Sequence, residues 1–513
     1  MPSPPRDDAP PQNDGRPDPA MPAAPDPNDR QRVAPGPPRR RLPGNRVVRK
    51  RLDATQVIAI PEDPDHRAVP TIQSHAKLFV GGFLLVVAVG ALLLMLPIAT
   101  ERGQSTRPID ALFTAMSASA VTGLTVVDTQ DHWSLFGEVV ILLLVQLGGL
   151  GFMVGASIVL VSLGRGSSLR DAIMLQDGSP AMSLSEAVSL SKRILRFIFV
   201  TEAIGAVLLA IRFLRDESPL VALWYGIFHA VSAFCNAGFD LQGNFQSLGR
   251  YETSPWINGT IVLLIQAGAL SYMVLDDAWK TRNWSRFQLD TKLVLLTNAI
   301  LVATGAFLFI ATEWNAALAN TPDWARPMVA IFQSASVRTA GFTTVSFGDV
   351  HSPTVFLWIG MMMIGGASGS TAGGIKLATA AVVFVAVVNT LRGETQTQIF
   401  KRRIPTFLVF RAMAIIAVYV LAHFVFSLML GFTEDVLQPN NLTFLDLMLE
   451  TMSAAATAGL TTGITPDLST AGKLIVCGAM FFGRFGPITL VYALTRRQRL
   501  TRYKYPEAPI RMG

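Results

Sequence analysis

"SASAVTGLTVVD", residues 117–128, is the stretch that decides the fold. It ends a short apolar segment that runs from Pro108 to Val121 and follows the turn-like "ERGQSTR". The segment stops at Gly123, between Thr122 and Thr125. A helix needs about 20 apolar residues to cross roughly 30 Å of hydrocarbon, so this one reaches only part of the way. A half-length apolar run that halts at a glycine is a candidate re-entrant segment, provided that it recurs.

The surrounding composition is that of a membrane protein. Of 513 residues, 50% are hydrophobic and 15% charged, and the mean hydropathy is +0.40. Apolar runs of spanning length recur too often to be soluble core helices. Two cysteines, Cys235 and Cys477, cannot build a disulfide framework. The net charge of +7 does not point to nucleic acid, because the basic residues cluster in short loops beside apolar runs, which is the positive-inside pattern. Residues 1–75 stand apart: 17 of the 31 prolines lie before residue 71, so a disordered cytoplasmic arm is expected there. The arm lacks the apolar core of a signal peptide. Its basic run "PRRRLPGNRVVRKR" (38–51) suits either anionic headgroups or a solvated linker.

The short run does recur. "SAFCNAGFD" (232–240), "ASVRTAGFTT" (335–344) and "SAAATAGLTT" (453–462) share its shape when aligned on Gly123, Gly238, Gly341 and Gly459. Leu or Phe follows each glycine, Thr or Ala precedes it, and the four are 115, 103 and 118 residues apart. Each has a full-length apolar run before it and another after it. The expected units are 76–165, 185–280, 288–392 and 404–497, with a tail over 498–513. Eight spanning and four re-entrant helices put both termini on one side, and Lys/Arg-rich loops near 164–193, 280–292 and 391–403 make that side cytoplasmic. The opposite loops carry Asp128, Asp131, Asp216, Glu217, Asp240, Glu252, Glu313, Asp323, Glu434, Asp435 and Asp467, an acidic outer mouth that would concentrate cations.

Non-helical backbone survives at membrane depth only where it is buried or lines water. Four such loops in quasi-fourfold arrangement would surround one axis. A re-entrant helix entering from outside aims its negative C-terminal end at mid-membrane, where it favours a cation. Glycine permits φ > 0, so each loop can turn carbonyls inward, and rings of carbonyls replace a hydration shell. Packing between helices is the competing use of such glycines. A solute symporter with broken helices is the alternative from another class.

These segments, with "GGASGSTAGGIK" (365–376) and "FFGRFGPITL" (481–490), make the chain resemble the Trk/Ktr/HKT superfamily of potassium transporters over about residues 75–500. The resemblance implies an all-α polytopic membrane protein with four M–P–M repeats (helix, re-entrant pore helix and loop, helix) around a single central pore. It implies K⁺ entering through a filter formed by Val121, Thr122, Gly123, Asn236, Ala237, Gly238, Thr339, Ala340, Gly341, Thr457, Ala458 and Gly459, with K⁺ at the four glycines. It also implies a homodimer in the bacterial inner membrane, Na⁺ as a potential activator, and a cytosolic RCK-type nucleotide-binding regulatory subunit on another chain. This chain shows no dinucleotide fingerprint in a strand–helix setting, which agrees with a separate regulator. With only the polar arm before the first repeat, it stands nearer the Ktr membrane subunit than the Trk type. Plant members that prefer Na⁺ replace the first filter glycine by serine, whereas here it is Gly123.

Five of the ten residues 365–374 are glycine, within what should be the third repeat's inner helix. Each costs about 1 kcal/mol relative to alanine in a helix, so the helix should break. A phosphate loop is excluded by the missing GK[ST] ending and the apolar flanks. By resemblance, Gly365, Gly366, Ser368, Gly369, Ser370, Thr371, Gly373, Gly374 and Lys376 form an intramembrane gate loop that meets Arg484. An arginine at mid-bilayer costs about 2.5–3.5 kcal/mol on insertion scales, so Arg484 should face the pore or a partner, Glu202 being one candidate. Arg338 is expected to tie down its loop, and His229 to be a core residue of the pore helix. No residue pattern points to an enzyme.

Overall fold

The computed structural model describes residues 72–163, 184–437 and 442–494. The expected arm, apart from its last four residues, and the expected tail lie outside these residues. The chain is mostly helical. In chain order the helices are α1 (Ile72–Leu94), α2 (Pro108–Ala120), α3 (Leu135–Leu163), α4 (Leu184–Phe213), α5 (Pro219–Cys235), α6 (Pro255–Ala269), α7 (Tyr272–Thr281), α8 (Leu289–Glu313), α9 (Arg326–Ser336), α10 (Ser352–Met362), α11 (Leu377–Leu391), α12 (Thr406–Gly431), α13 (Phe444–Ala456) and α14 (Thr470–Leu494). One two-residue hairpin, Gln398–Ile399 against Arg402–Arg403, joins α11 to α12.

Two classes of helix stand out. Among the described residues, three stretches are long and apolar enough to cross a membrane unbroken: Ser189–Phe213, Leu289–Glu313 and Thr406–Glu434. Leu143, Phe307, Phe410 and Leu421 lie on the outside of the bundle with most of their surface uncovered, as side chains facing lipid would. The other class comprises α2, α5, α9 and α13, of 13, 17, 11 and 13 residues, all buried over most of their length. Their starts are written locally. Proline sits in the first turn of α2, α5 and α9, where its missing N–H costs nothing. In α13 a capping box replaces it, with the Thr443 hydroxyl accepting from Asp446 N and the Asp446 carboxylate accepting from Thr443 N.

The packing order is cyclic. α5 lies against α3, α9 against α6, α13 against α10, and α2 against α14, so the last helix closes onto the first short one. Glycines permit this closeness. A Cβ on Gly148, Gly268 or Gly483 would strike the backbone carbonyl of Ser119, Phe234 or Ala455 respectively, in the last turn of a short helix.

Two long runs are broken. The break at 363–376 separates α10 from α11, as the glycine content anticipates. The full-length apolar run expected after the second glycine segment is not one span: α6 and α7 meet at 100°, and Ser271 takes φ 66°. The cause is tertiary. The Gly268 and Ala269 carbonyls accept from Thr371 N (3.3 Å) and Ala367 N (2.8 Å) of the glycine-rich loop, so the α6 carbonyls bond across rather than along the helix.

Candidate functional site: a ring of four glycine loops

Each short helix ends in a turn that reverses its carbonyls. In three of the four the capping residue is left-handed: Val121 (φ 57°), Asn236 (φ 59°) and Thr457 (φ 51°). The next residue then donates five back, Thr122 N to Ser117 O, Ala237 N to Ser232 O and Ala458 N to Ser453 O, at 2.7–2.8 Å. Val121 and Thr457 are β-branched, and a left-handed conformation costs such residues about 1–2 kcal/mol. The third segment departs from the pattern. Val337 stays right-handed, and Ala340 N reaches Ser336 O at 2.8 Å. Polar side chains brace the turns: Ser117 Oγ accepts from Gly123 N, while Ser232 and Ser336 donate to the carbonyls of Phe239 and Phe342.

The four glycines follow at φ 93°, 73°, 76° and 84°. A Cβ on Gly123 would collide with the Ala237 carbonyl oxygen, and one on Gly238 would lie 2.5 Å from that of Ala340. One on Gly341 would lie 2.7 Å from the Ala458 carbonyl, and one on Gly459 would collide with that of Thr122. Each segment therefore abuts the carbonyl just before the glycine of the next, and the fourth returns to the first. Val121, Thr122, Asn236, Ala237, Thr339, Ala340, Thr457 and Ala458 are all buried in this ring.

Above the ring lies a cavity of about 560 Å³ that touches all four glycines. Its charged lining, among the described residues, consists of Asp128 and Asp240. Burial, with repulsion from Asp128, pushes the Asp240 carboxyl up to about 7, although Gln242 N donates to it. Asp128 accepts from Gln130 N, Asp131 N and Phe245 N, tying the loops together. The acidic mouth is thus narrower than the sequence count implies. Glu313 and Glu434 are fully buried; the first accepts from His351 N and Thr354 Oγ1, the second from Ser469 N and Oγ.

Below the ring lies the glycine-rich loop. It leaves α10 and returns through Gly365 N to Ile375 O (2.9 Å) and Ile375 N to Met363 O (3.0 Å). Ser370 and Thr371 are buried, and their hydroxyls donate to the carbonyls of Ala367 and Phe234. Asn236 of the second segment donates to Thr371 Oγ1 at 2.8 Å and accepts from Thr339 of the third, so it links loop and ring. A Cβ on Gly373 would strike the Thr457 hydroxyl, while one on Gly365 would strike Gly373 O and one on Gly366 would crowd Ala269 O. Gly374 (φ 65°) turns the chain back. Ser368 and Gly369 are exposed, so only part of the loop is dry. Lys376 caps α11 and donates to Ala372 O at 2.6 Å.

Arg484, on α14, ties the loop to α3. Its guanidinium, 5% exposed, donates to Thr371 O at 2.6 Å and to Gly148 O at 2.5 Å. Glu202 instead accepts from Gln146 and Cys235. Arg338 is buried and donates to Asn298 Oδ1 on α8 at 2.6 Å, away from the cavity. His229 spans two backbone groups, Tyr225 O and Leu241 N. Both cysteines are buried and unpaired. The roles of Gly148, Gly268 and Gly483 were not singled out in the sequence; their recurrence 24–30 residues after a ring glycine is the signal that could have found them.

Residues 74–503 match the TrkH family, described as a cation transport protein. The chain belongs to this family. It is 37% identical to the Ktr system potassium uptake protein B of Bacillus subtilis, covering 84% of this chain and 95% of that one. It is 36% identical to the Ktr system potassium uptake protein B of Vibrio alginolyticus, over 88% and 97%. With the potassium/sodium uptake protein NtpJ of Enterococcus hirae it shares 35% identity, over 86% and 97%. The crystal structure of the potassium transporter TrkH from Vibrio parahaemolyticus has the same fold: TM-score 0.65 at 20% identity, covering 84% of this chain and 86% of that one. The TrkH family is one of transporters, not of enzymes, and this member is a multi-pass membrane protein.

Proposed function

We propose that the chain is the ion-translocating subunit of a potassium-uptake system, passing K⁺ inward through one pore per subunit under the membrane potential. The observation that carries this reading is the closed ring, in which each glycine abuts the carbonyl of the next segment and the fourth meets the first. Helix C-termini, inward carbonyls and two carboxylates above them all favour a cation on the axis. The filter is then residues 121–123, 236–238, 339–341 and 457–459, and the four M–P–M repeats are 76–165, 185–280, 288–392 and 404–497. Residues 365–376 with Arg484 are the gate. The relatives named as Ktr system proteins support a partner subunit, read here as cytosolic and regulatory; the reading includes a dimer, and the Lys/Arg-rich loops support both termini being cytoplasmic. The relative named as a potassium/sodium uptake protein favours a second reading, in which Na⁺ is also conducted or activates.

Growth of a K⁺-uptake-deficient bacterium at low K⁺ tests the first reading, and K⁺ and Na⁺ flux in proteoliposomes separates it from the second. Rescue is expected with the regulator co-expressed. Failure despite membrane expression counts against K⁺ uptake. Gly123→Ser should cut K⁺ over Na⁺ discrimination about tenfold, the equivalent of roughly 1.4 kcal/mol. Unchanged discrimination would remove Gly123 from the filter. Uptake that saturates with an organic solute would instead favour a symporter.

A further inference from the structure

Nine residues before each ring glycine, the short helices carry Thr114, His229, Phe332 and Glu450. All four are buried, and Glu450 is 0% exposed. His229 shows what the position does, since it holds Leu241 N just beyond its own glycine. Glu450 does the same work with an acid. Its Oε1 accepts from Thr465 Oγ1 at 2.6 Å, and Thr461 Oγ1 follows 3.1 Å from Thr465 Oγ1. Thr461 and Thr462 line the outer cavity, so a chain of hydroxyls leads from the cavity to the buried carboxyl. The other oxygen, Oε2, has no hydrogen-bond partner among the described residues, nor do the nearby Thr462 and Ser453 hydroxyls.

We infer that Glu450 is a proton-operated positioning residue for the fourth filter segment, reached from outside through Thr461 and Thr465. The inference rests on the filter reading above and adds a titratable control to it. A neutral carboxyl at this site needs little beyond the bonds from Thr465 and Thr461. An ionised one demands further donors. Thr461 can tighten on the carboxyl, and the Thr462 hydroxyl beside it has no partner among the described residues; both are on the strand that continues from Gly459. Deprotonation therefore pulls that strand toward α13 and moves the carbonyls at the ring.

Among the described residues, no cation counts among the charges acting on Glu450. On α13 itself the neighbour is Asp446, which repels it. α10 brings no titratable group, α12 brings Arg411, Tyr419 and His423, α14 brings Lys473, Cys477 and Arg484, and the turn at Thr465 brings Asp467. Lys473 is engaged with Asp110 at 2.9 Å, and Arg484 with Thr371 and Gly148.

The test is the K⁺/Na⁺ flux ratio of the whole chain in proteoliposomes as external pH rises from about 6 to about 9. The wild-type ratio should fall about fivefold to tenfold, the scale of one lost buried hydrogen bond. Glu450→Gln, which keeps the acceptor and cannot ionise, should hold the ratio flat at its acid value. Thr465→Val should give a low ratio at every pH. A Glu450→Gln profile that falls in step with the wild type, or a wild-type ratio independent of pH, overturns the inference. Failure of the filter reading looks different, since the wild type would then show no preference for K⁺ at any pH.

Discussion

At the scale of single residues, the outer cavity holds a carboxyl raised toward neutrality. Asp240 follows the second ring glycine by two positions and lines the cavity with Asp128. Burial comes first among the causes that push it up to about 7, and the Asp128 charge adds to it. An acid so raised is ionised above that pH and neutral below it, so external acidification removes negative charge from the mouth. Initial K⁺ uptake at limiting K⁺ should therefore drop about twofold to tenfold between about pH 8 and about pH 6. Asp240→Asn should show the lower rate at both values, with its K⁺/Na⁺ ratio unchanged, because Asp240 lies above the ring and not in it. High salt should shrink the difference, since screening weakens attraction at a distance. A pH profile for Asp240→Asn that overlays the wild type would assign the acid sensitivity elsewhere, Glu450 being the buried alternative. The two are separable, because Asp240 acts on rate and Glu450 on selectivity.

At the scale of elements, the glycine-rich loop is held by bonds that a regulator could break singly. Arg484 donates to Thr371 O, Thr371 N donates to Gly268 O, and Ala367 N donates to Ala269 O. The loop continues through Lys376 into α11, whose far end faces the basic loop near 391–403, where pulling could act. Shortening 365–374 should raise basal K⁺ flux without the regulator, while leaving ion preference intact. Arg484→Ala, which leaves the Thr371 and Gly148 carbonyls without their donor, should raise leak about tenfold or more, since hydrogen bonds to a charged donor contribute about 1.5–3 kcal/mol. If both variants fold and conduct no more than the intact protein, the loop is not the gate. These elements also mark what could be read from sequence. The short helices were legible because apolar runs of 11–17 residues ending at glycine have few other uses in a membrane. The break in 365–374 was legible from glycine content alone. The bend at Ser271 was not, because the apolar run passes through it without a glycine or proline at the corner; its cause is a loop about a hundred residues away in sequence. The right-handed cap at Val337 was equally hidden, since the third segment aligns with the others on its glycine while its helix ends differently.

At the scale of the whole molecule, the ring is assembled from four segments about a hundred residues apart, and every neighbouring pair meets through a glycine and a carbonyl. In the proposed filter, carbonyls turned inward and helix C-termini would crowd like partial charges on one axis. A fitting cation would relieve that repulsion. Because no single segment can bind that cation, its binding free energy is available only to the folded chain. A ligand that binds only the folded state stabilises it by about 2.7 kcal/mol at a hundred times its dissociation constant. Thermal unfolding of the detergent-solubilised protein should accordingly shift upward with K⁺ concentration. Na⁺ at equal ionic strength should shift it less if the ring selects K⁺, and equally if the chain handles both ions alike. Choline serves as the baseline. Gly459→Ser, placed where a Cβ would meet the Thr122 carbonyl and open the closure between the fourth and first segments, should abolish the K⁺-specific shift. The baseline stability in choline should change far less, because the helix packing around the ring remains. A variant that keeps the full K⁺ shift would mean that the stabilising ion sits elsewhere than in the ring.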